Sequence, residues 1–302
     1  MSLLTVNELT KRYDDKLAVD HINIQFDPGK CVALIGPNGA GKTTTLRMLS
    51  GLIKPTSGKV SFEGMGQHDD IRRLIGYLPQ YPIFHTWMTG KEFLIYVGRL
   101  AFLSKEEATK RTNELLKLVG LEDAVNKRIG KYSGGMKQRL GIAQAIIHHP
   151  KILMLDEPVA SLDPIGRRDV LSLLETLKQE MTILFSTHIL SDADEVSDEL
   201  LLLHDGKIVE SGSMDDLRQK YQTSEIELAF QDDPVTYQKT LEKLPSIGTC
   251  YLNKNMLFVT AENIQQARKE ILTSAAREDW PLTSYSIKRT SLEDLFMKAV
   301  NN

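Results

Sequence analysis

In "LIGPNGAGKTTTLRML", Leu34 to Leu49, closely spaced glycines run into one lysine and three threonines. Gly36, Pro37, Asn38, Gly39, Ala40, Gly41, Lys42 and Thr43 satisfy G-x-x-x-x-G-K-[ST] at every fixed position. Average composition produces that match in roughly one chain of this length in a hundred. The glycines allow successive backbone N–H groups to converge on an anion, and a helix start beyond them adds its positive end. Lys42 can reach the outer phosphates, and the Thr43 hydroxyl, with Thr44 behind it, suits the magnesium ion that bridges them. The chemistry expected here is the holding of a nucleoside triphosphate with Mg2+.

Such a loop alone does not separate kinases, GTPases and motor ATPases, so the acids matter. "ILMLDEP", Ile152 to Pro158, is an apolar run ending in two carboxylates. Asp156 at the end of a buried strand is suited to metal, and Glu157 to polarising an attacking water. Standing alone, "DE" after a strand reads as well as a solvated turn or a cap; beside the phosphate loop, the catalytic reading prevails. His188 closes another apolar run, "TILFSTH", and so leaves a strand end where ligands of open α/β sheets gather.

"YSGGMKQRLGIAQAII", Tyr132 to Ile147, offers Ser133 as an N-cap and two glycines before a helix with Leu140, Ala143, Ile146 and Ile147 on one side. Its start is a second anion-binding candidate, and on residue chemistry alone an ordinary capped helix is an equal reading. His148 and His149 read as a helix end before Pro150, since neighbouring helical residues do not face one way. His21, His68, His85 and His204 are expected in polar turns or loops, without a role. Cys31 and Cys250 form no ligand spacing and read as small buried hydrophobes.

These groups need a scaffold. "CVALI", Cys31 to Ile35, suits a strand buried on both faces, and "KTTTLRMLSGL" has Leu46, Leu49 and Leu52 at helical spacing before Pro55. The order strand, loop, helix, with further apolar runs near 155, 185 and 201, predicts an α/β chain with a mostly parallel sheet. At 302 residues the length suits one large domain or two. With 41% hydrophobic and 25% charged residues the composition is that of a globular chain. No apolar stretch reaches the roughly 18 residues of a membrane-spanning helix, and the first residues do not read as a secretory signal. A net charge of −3 and the absence of long Lys/Arg runs argue against a nucleic-acid ligand.

Taken together, the motifs resemble the ATP-binding subunits of ABC transporters over roughly the first 215 residues. Gly36 to Thr43 looks like the Walker A loop, "ILMLDE" like the Walker B strand, and "YSGGM" like a variant of the signature LSGGQ. "GYLPQ" brings Gln80 to the position of the Q-loop glutamine, which joins Thr43 and Asp156 as a metal ligand. "SLD" brings Asp163 to the D-loop, His188 fits the switch histidine, and "KRYDDKLAVD" puts Tyr13 where the family stacks a ring on adenine. The resemblance implies a P-loop NTPase fold of RecA-like type that binds ATP and Mg2+. It implies a catalytic set of Glu157, His188, Gln80 and Lys42, and a head-to-tail dimer in which Ser133, Gly134 and Gly135 of one copy meet the phosphate held by Lys42 of the other. A separate multi-pass permease would be energised for export, with this subunit in the cytoplasm on the inner face of the cell membrane. An intact motif set favours a homodimer. Met136 replaces the signature glutamine, and Val159, Ala160 and Ser161 replace the more usual Thr, Ser and Gly of EPTSGLD.

Residues 1–217 are assigned to the ATP-binding domain, with a helical subdomain at about 84–149. In "YLPQYPIFHTWMTGKEFLIYVGRL" the dense apolar residues suit either helix core or a docking groove for a permease helix. In 222–302 the order strand, helix, strand, strand, helix, strand predicts a small ferredoxin-like α+β domain for regulation or dimer contact. The closing "SLEDLFMKAV" resembles the tail of bacitracin-, daunorubicin- and sodium-exporter ATPases. Two rival functions are disfavoured: a non-transport ABC protein, by the single cassette without a long coiled-coil insertion, and a P-loop kinase, by the signature and His188.

Overall fold

The computed structural model describes residues 2–66, 69–221, 225–287 and 292–301. His68, the 222 boundary, Lys288 and Arg289 of the last strand segment, and Ser291 lie outside the described residues. The chain divides into two compact units, Met1–Met214 with Phe296–Asn302, and Asp215–Leu295.

The first unit opens with β1 (Leu4–Tyr13) and β2 (Lys16–Phe26), an antiparallel hairpin whose two-residue turn is Asp14-Asp15, Asp14 taking φ 46°. After β3 (Cys31–Ile35) and α1 (Lys42–Leu49), β4 (Ser57–Phe62) pairs with the other edge of β1, so a three-stranded antiparallel sheet β2-β1-β4 stands apart. The sequence order predicts a mostly parallel sheet for this domain and does not foresee this second, antiparallel one. The strand pattern explains the difference: along β2 exposed and buried residues alternate towards its end, as in a sheet with one wet face, whereas β3 is buried throughout.

The main sheet runs β5-β6-β7-β3-β8-β9, from β5 (Ile75–Leu78), β6 (Ile152–Asp156), β7 (Thr182–Thr187), β8 (Glu199–His204) and β9 (Lys207–Ser213). All its pairings are parallel except the β8–β9 hairpin. Every residue of β3, β6 and β7 is buried, and their parallel pairing brings the three carboxyl ends to the same edge of the sheet. Between β5 and β6 lie α2 (Gly90–Leu100), α3 (Lys105–Leu118) and α4 (Gly134–Ala145); α2 and α3 each begin with a capping box, Thr89 with Glu92 and Ser104 with Glu107. Beyond β6 follow α5 (Pro164–Leu177) and α6 (Leu190–Val196).

Four expectations are corrected. α1 ends at Leu49; Gly51 turns the chain at φ 70° and Leu52 is exposed, so the apolar face is carried by Leu46, Met48 and Leu49. α4 is not one-sided: Gln138, Leu140, Gly141, Ile142, Ala143 and Ala145 are all buried, so it is a core helix. His148 and His149 fall past its end, with His149 at φ 57° and His148 Nε2 3.1 Å from the Ile75 carbonyl oxygen. His21 lies in β2 and His204 in β8 rather than in loops.

The second unit takes in most of α7 (Met214–Lys220), then β10 (Glu225–Phe230), α8 (Val235–Leu241), β11 (Cys250–Asn253), β12 (Met256–Thr260), α9 (Ile264–Arg277) and β13 (Leu282–Ile287), before α10 (Leu292–Asn301). Its sheet, β11-β12-β10-β13, is antiparallel throughout, the ferredoxin-like order. Ile226, Leu228 and Phe230 alternate along β10 into a core with Leu257, Val259, Ala267 and Ile271.

Candidate active site

Between β3 and α1 the loop rises as a tight arch. A Cβ on Gly36 would lie 2.2 Å from the Leu203 carbonyl oxygen, so only glycine fits against β8. Gly41 adopts φ 108° immediately before the helix, a conformation that other residues rarely take. The turn of the β8–β9 hairpin ties the arch down: the Gly206 N–H donates to the Ala40 carbonyl at 3.1 Å, and the Gly206 carbonyl accepts from the Asp20 N–H at 2.8 Å. α1 carries no acid in its first turn, which leaves its positive end uncompensated for an anion.

Lys42 is buried, its ammonium donating to the carbonyls of Gly36 (2.7 Å) and Pro37 (3.2 Å) and standing 3.5 Å from Glu157 Oε1. The other Glu157 oxygen, Oε2, is 2.8 Å from His188 Nδ1. Glu157 therefore spans the cation of α1 and the imidazole that follows β7. It does so from a left-handed backbone, φ 51°, where β6 breaks. His188 is turned out of its strand by the Ile189 N–H, which bonds back to Thr187 Oγ1 at 3.0 Å.

Asp156 is buried beneath these groups. Its Oδ1 accepts from Thr43 Oγ1 (3.0 Å) and from Ser186 Oγ (2.8 Å), while its Oδ2 is buried without a protein partner. Ser186 was not singled out in the sequence. Its signal was a hydroxyl at the end of an apolar run, and only the β6–β7 register, which pairs Asp156 with Ser186, reveals its meaning.

One cleft of about 340 Å³ gathers Tyr13, Asn38, Gly39, Gly41, Lys42, Thr43, Thr44, Gln80 and Glu157. Gly36, Pro37 and Ala40 shape the loop without lining the cleft, and His188 reaches it through Glu157. Lys16 and Ala18 of β2 line it too; a lone lysine in a hairpin gave no sequence signal. Tyr13 is half exposed at the end of β1, with the Lys11 ammonium 5.0 Å from its ring centre.

Ser133, Gly134, Gly135 and Asp163 do not line that cleft. Ser133 caps α4, accepting from the Met136 N–H at 3.2 Å. Asp163 caps α5, accepting from the Gly166 N–H at 2.9 Å, with Pro164 at the first helical position. The two helix starts are neighbours, since a Cβ on Gly135 would sit 3.5 Å from Gly166 Cα. Ser161, where glycine is more usual, takes φ 62°, so the left-handed geometry persists on a residue that tolerates it less well. Behind α5, Arg167 pairs with buried Asp192 of α6; burial pushes that carboxyl above the usual range while Arg167 acts the other way.

Residues 19–160 match the family described as ABC transporter, and residues 212–300 match the C-terminal domain of DrrA1-3-like ATP-binding proteins. The chain is 44% identical to the ABC transporter ATP-binding protein YxlF of Bacillus subtilis, over 99% of this chain and 100% of that one. It is 40% identical to the bacitracin transport ATP-binding protein BcrA of Bacillus licheniformis, over 72% of each. Among solved structures, a dimeric ATP-binding cassette in a post-hydrolysis state with ADP and Pi superposes with a TM-score of 0.64 at 28% identity, covering 70% of this chain and 99% of that one. CbiO1 from Clostridium perfringens, part of the transporter complex CbiONQ, gives 0.64 at 28% identity over 72% and 94%.

Proposed function

Because this chain belongs to the ABC transporter ATP-binding proteins and is an ATPase of that family, we propose that it drives export through a separate membrane permease, working as a head-to-tail homodimer on the inner face of the membrane. The observation that carries this reading is the division of anion-binding features: a closed phosphate cradle around Lys42, and a second helix start at Ser133–Gly135 outside that cradle. Two copies, each presenting its signature start to the other's cleft, would complete both sites.

Within one cleft, the arch N–H groups and the α1 terminus bind the triphosphate, and Lys42 exchanges its loop carbonyls for phosphate oxygens. Tyr13 stacks on the base. Glu157 orients and deprotonates the attacking water, and His188, bonded to the far oxygen, fixes that carboxylate's orientation. Thr43, Asp156 and Gln80 fit a magnesium ion: the buried Asp156 Oδ2 is an oxygen donor in want of a partner, and hard cations take oxygen ligands. When bound, the metal neutralises charge on the β- and γ-phosphate oxygens. Tyr81, Ile83, Trp87, Leu100 and Phe102 are exposed around α2, a dense apolar surface that supports docking of a permease segment.

Replacing Glu157 by Gln removes the base and keeps the shape. Turnover is expected to fall at least about 100-fold, with ATP still bound and the dimer retained on size exclusion. Hydrolysis by E157Q at the wild-type rate would remove Glu157 from the role of base.

A further inference from the structure

Ser186 is wholly buried near the end of β7 and makes two hydrogen bonds to neighbouring residues of β6 and the turn beyond it. Its hydroxyl proton goes to Asp156 Oδ1 at 2.8 Å, and its oxygen accepts the Glu157 N–H at 3.0 Å. A serine hydroxyl has one proton and two lone pairs, so a single side chain can serve both. Two consequences follow from the geometry. Thr43 and Ser186 both donate to Oδ1, which fixes the rotation of the Asp156 carboxylate and leaves Oδ2 as the oxygen without a protein partner. The bond to the Glu157 N–H anchors that residue where its backbone enters the left-handed region, a conformation that residues with a side chain disfavour.

We propose that Ser186 is a positioning residue that sets the metal-facing carboxylate and the general base together, so that neither Asp156 nor Glu157 is correctly aimed without its hydroxyl. The inference rests on the roles given above to Asp156 and Glu157. It makes the register of β6 against β7 part of the catalytic apparatus: the same pairing that places Asp156 opposite Ser186 delivers His188 two residues further on.

The test compares wild type, S186A and S186C, the last nearly isosteric but a weak hydrogen-bonder. Manganese binding in the presence of a non-hydrolysable ATP analogue is read by electron paramagnetic resonance. Nucleotide affinity without metal, melting temperature and kcat are measured on the same samples. Loss of a bond to a charged group predicts a roughly 10-fold weaker Mn2+ affinity and a kcat lower by about 10- to 100-fold in S186A. S186C should lie between, and metal-free nucleotide affinity should stay within about 2-fold, since the phosphate arch is untouched. A merely structural serine would lower the melting temperature and leave Mn2+ affinity and kcat of the folded protein unchanged, and that result overturns the proposal. Should S186A fail to fold, S186C is read by the same criteria. E157Q run in parallel separates the two claims: wild-type hydrolysis by E157Q sinks the parent reading, whereas a dead E157Q beside an unimpaired S186A or S186C sinks only this one.

Discussion

The two helix starts proposed above as anion sites, at α1 and at α4, differ in almost every respect. At α1 the loop before the helix is arched by glycines, held from beneath by the β8–β9 turn, and closed by a buried lysine tied to Glu157. At α4 the cap is an exposed serine followed by two glycines, and the nearest structure is the start of α5. In the proposed reading the first takes phosphate within one chain, and the second, which does not line that cleft, gains a use when another copy is brought to it. If two copies complete each other's sites as proposed, affinity and control are separated: one copy binds, and the pair decides.

The largest expected effect tests that separation directly. K42A removes the cation of the cradle, and G135D puts a carboxylate where the second start should meet phosphate. Gly135 has room for a Cβ, and an acid in the first helical turn suits the dipole, so G135D should fold. Each variant alone should lose at least about 100-fold in hydrolysis. In a mixture, half the dimers are hybrids with one intact site, so about a quarter of the wild-type rate should return. A mixture as inactive as its parents would mean that the two starts act within one chain.

A smaller effect belongs to the cradle alone. Y13A removes the ring at the cleft mouth; since Tyr13 is already half exposed, the loss should sit at the low end of stacking energies, about 5- to 10-fold in nucleotide affinity. Unchanged affinity in a fluorescent-nucleotide titration would take Tyr13 out of the site. The smallest effect belongs to the second start. S133A deletes a cap worth about 1 kcal/mol, and the melting temperature should drop by about 2–4 °C. No change would show that the Ser133 hydroxyl does not support α4.

Much of this was legible because local chemistry and spacing carried it. The phosphate loop, the two acids after β6 and the order of elements in the second unit each lie within a short stretch of chain, where glycine, charge and periodicity act locally. What sequence could not deliver depends on pairing between distant strands. Ser186 becomes meaningful only when β7 lies beside β6, and Lys16 only when the first hairpin reaches the cleft. The separate antiparallel sheet was hidden for the same reason, since β1 finds β4 across some fifty intervening positions. Helix α4 misled because its apolar residues were read as one face, when burial surrounds it. At Ser161 the backbone is left-handed although the residue is not the more usual glycine, which the residue type alone does not reveal.

The bonds of the Lys42 ammonium to Gly36 and Pro37 have a thermodynamic meaning for a machine that must cycle. In the binding mode proposed above, an arriving phosphate does not meet an idle cation; it displaces carbonyl oxygens already in place. The net gain on binding is the difference between two sets of contacts, which keeps that gain modest. When the product leaves, the loop's own carbonyls are there to receive the charge again, so departure requires no exposed ammonium in a dry pocket. The arch thereby favours exchange over grip.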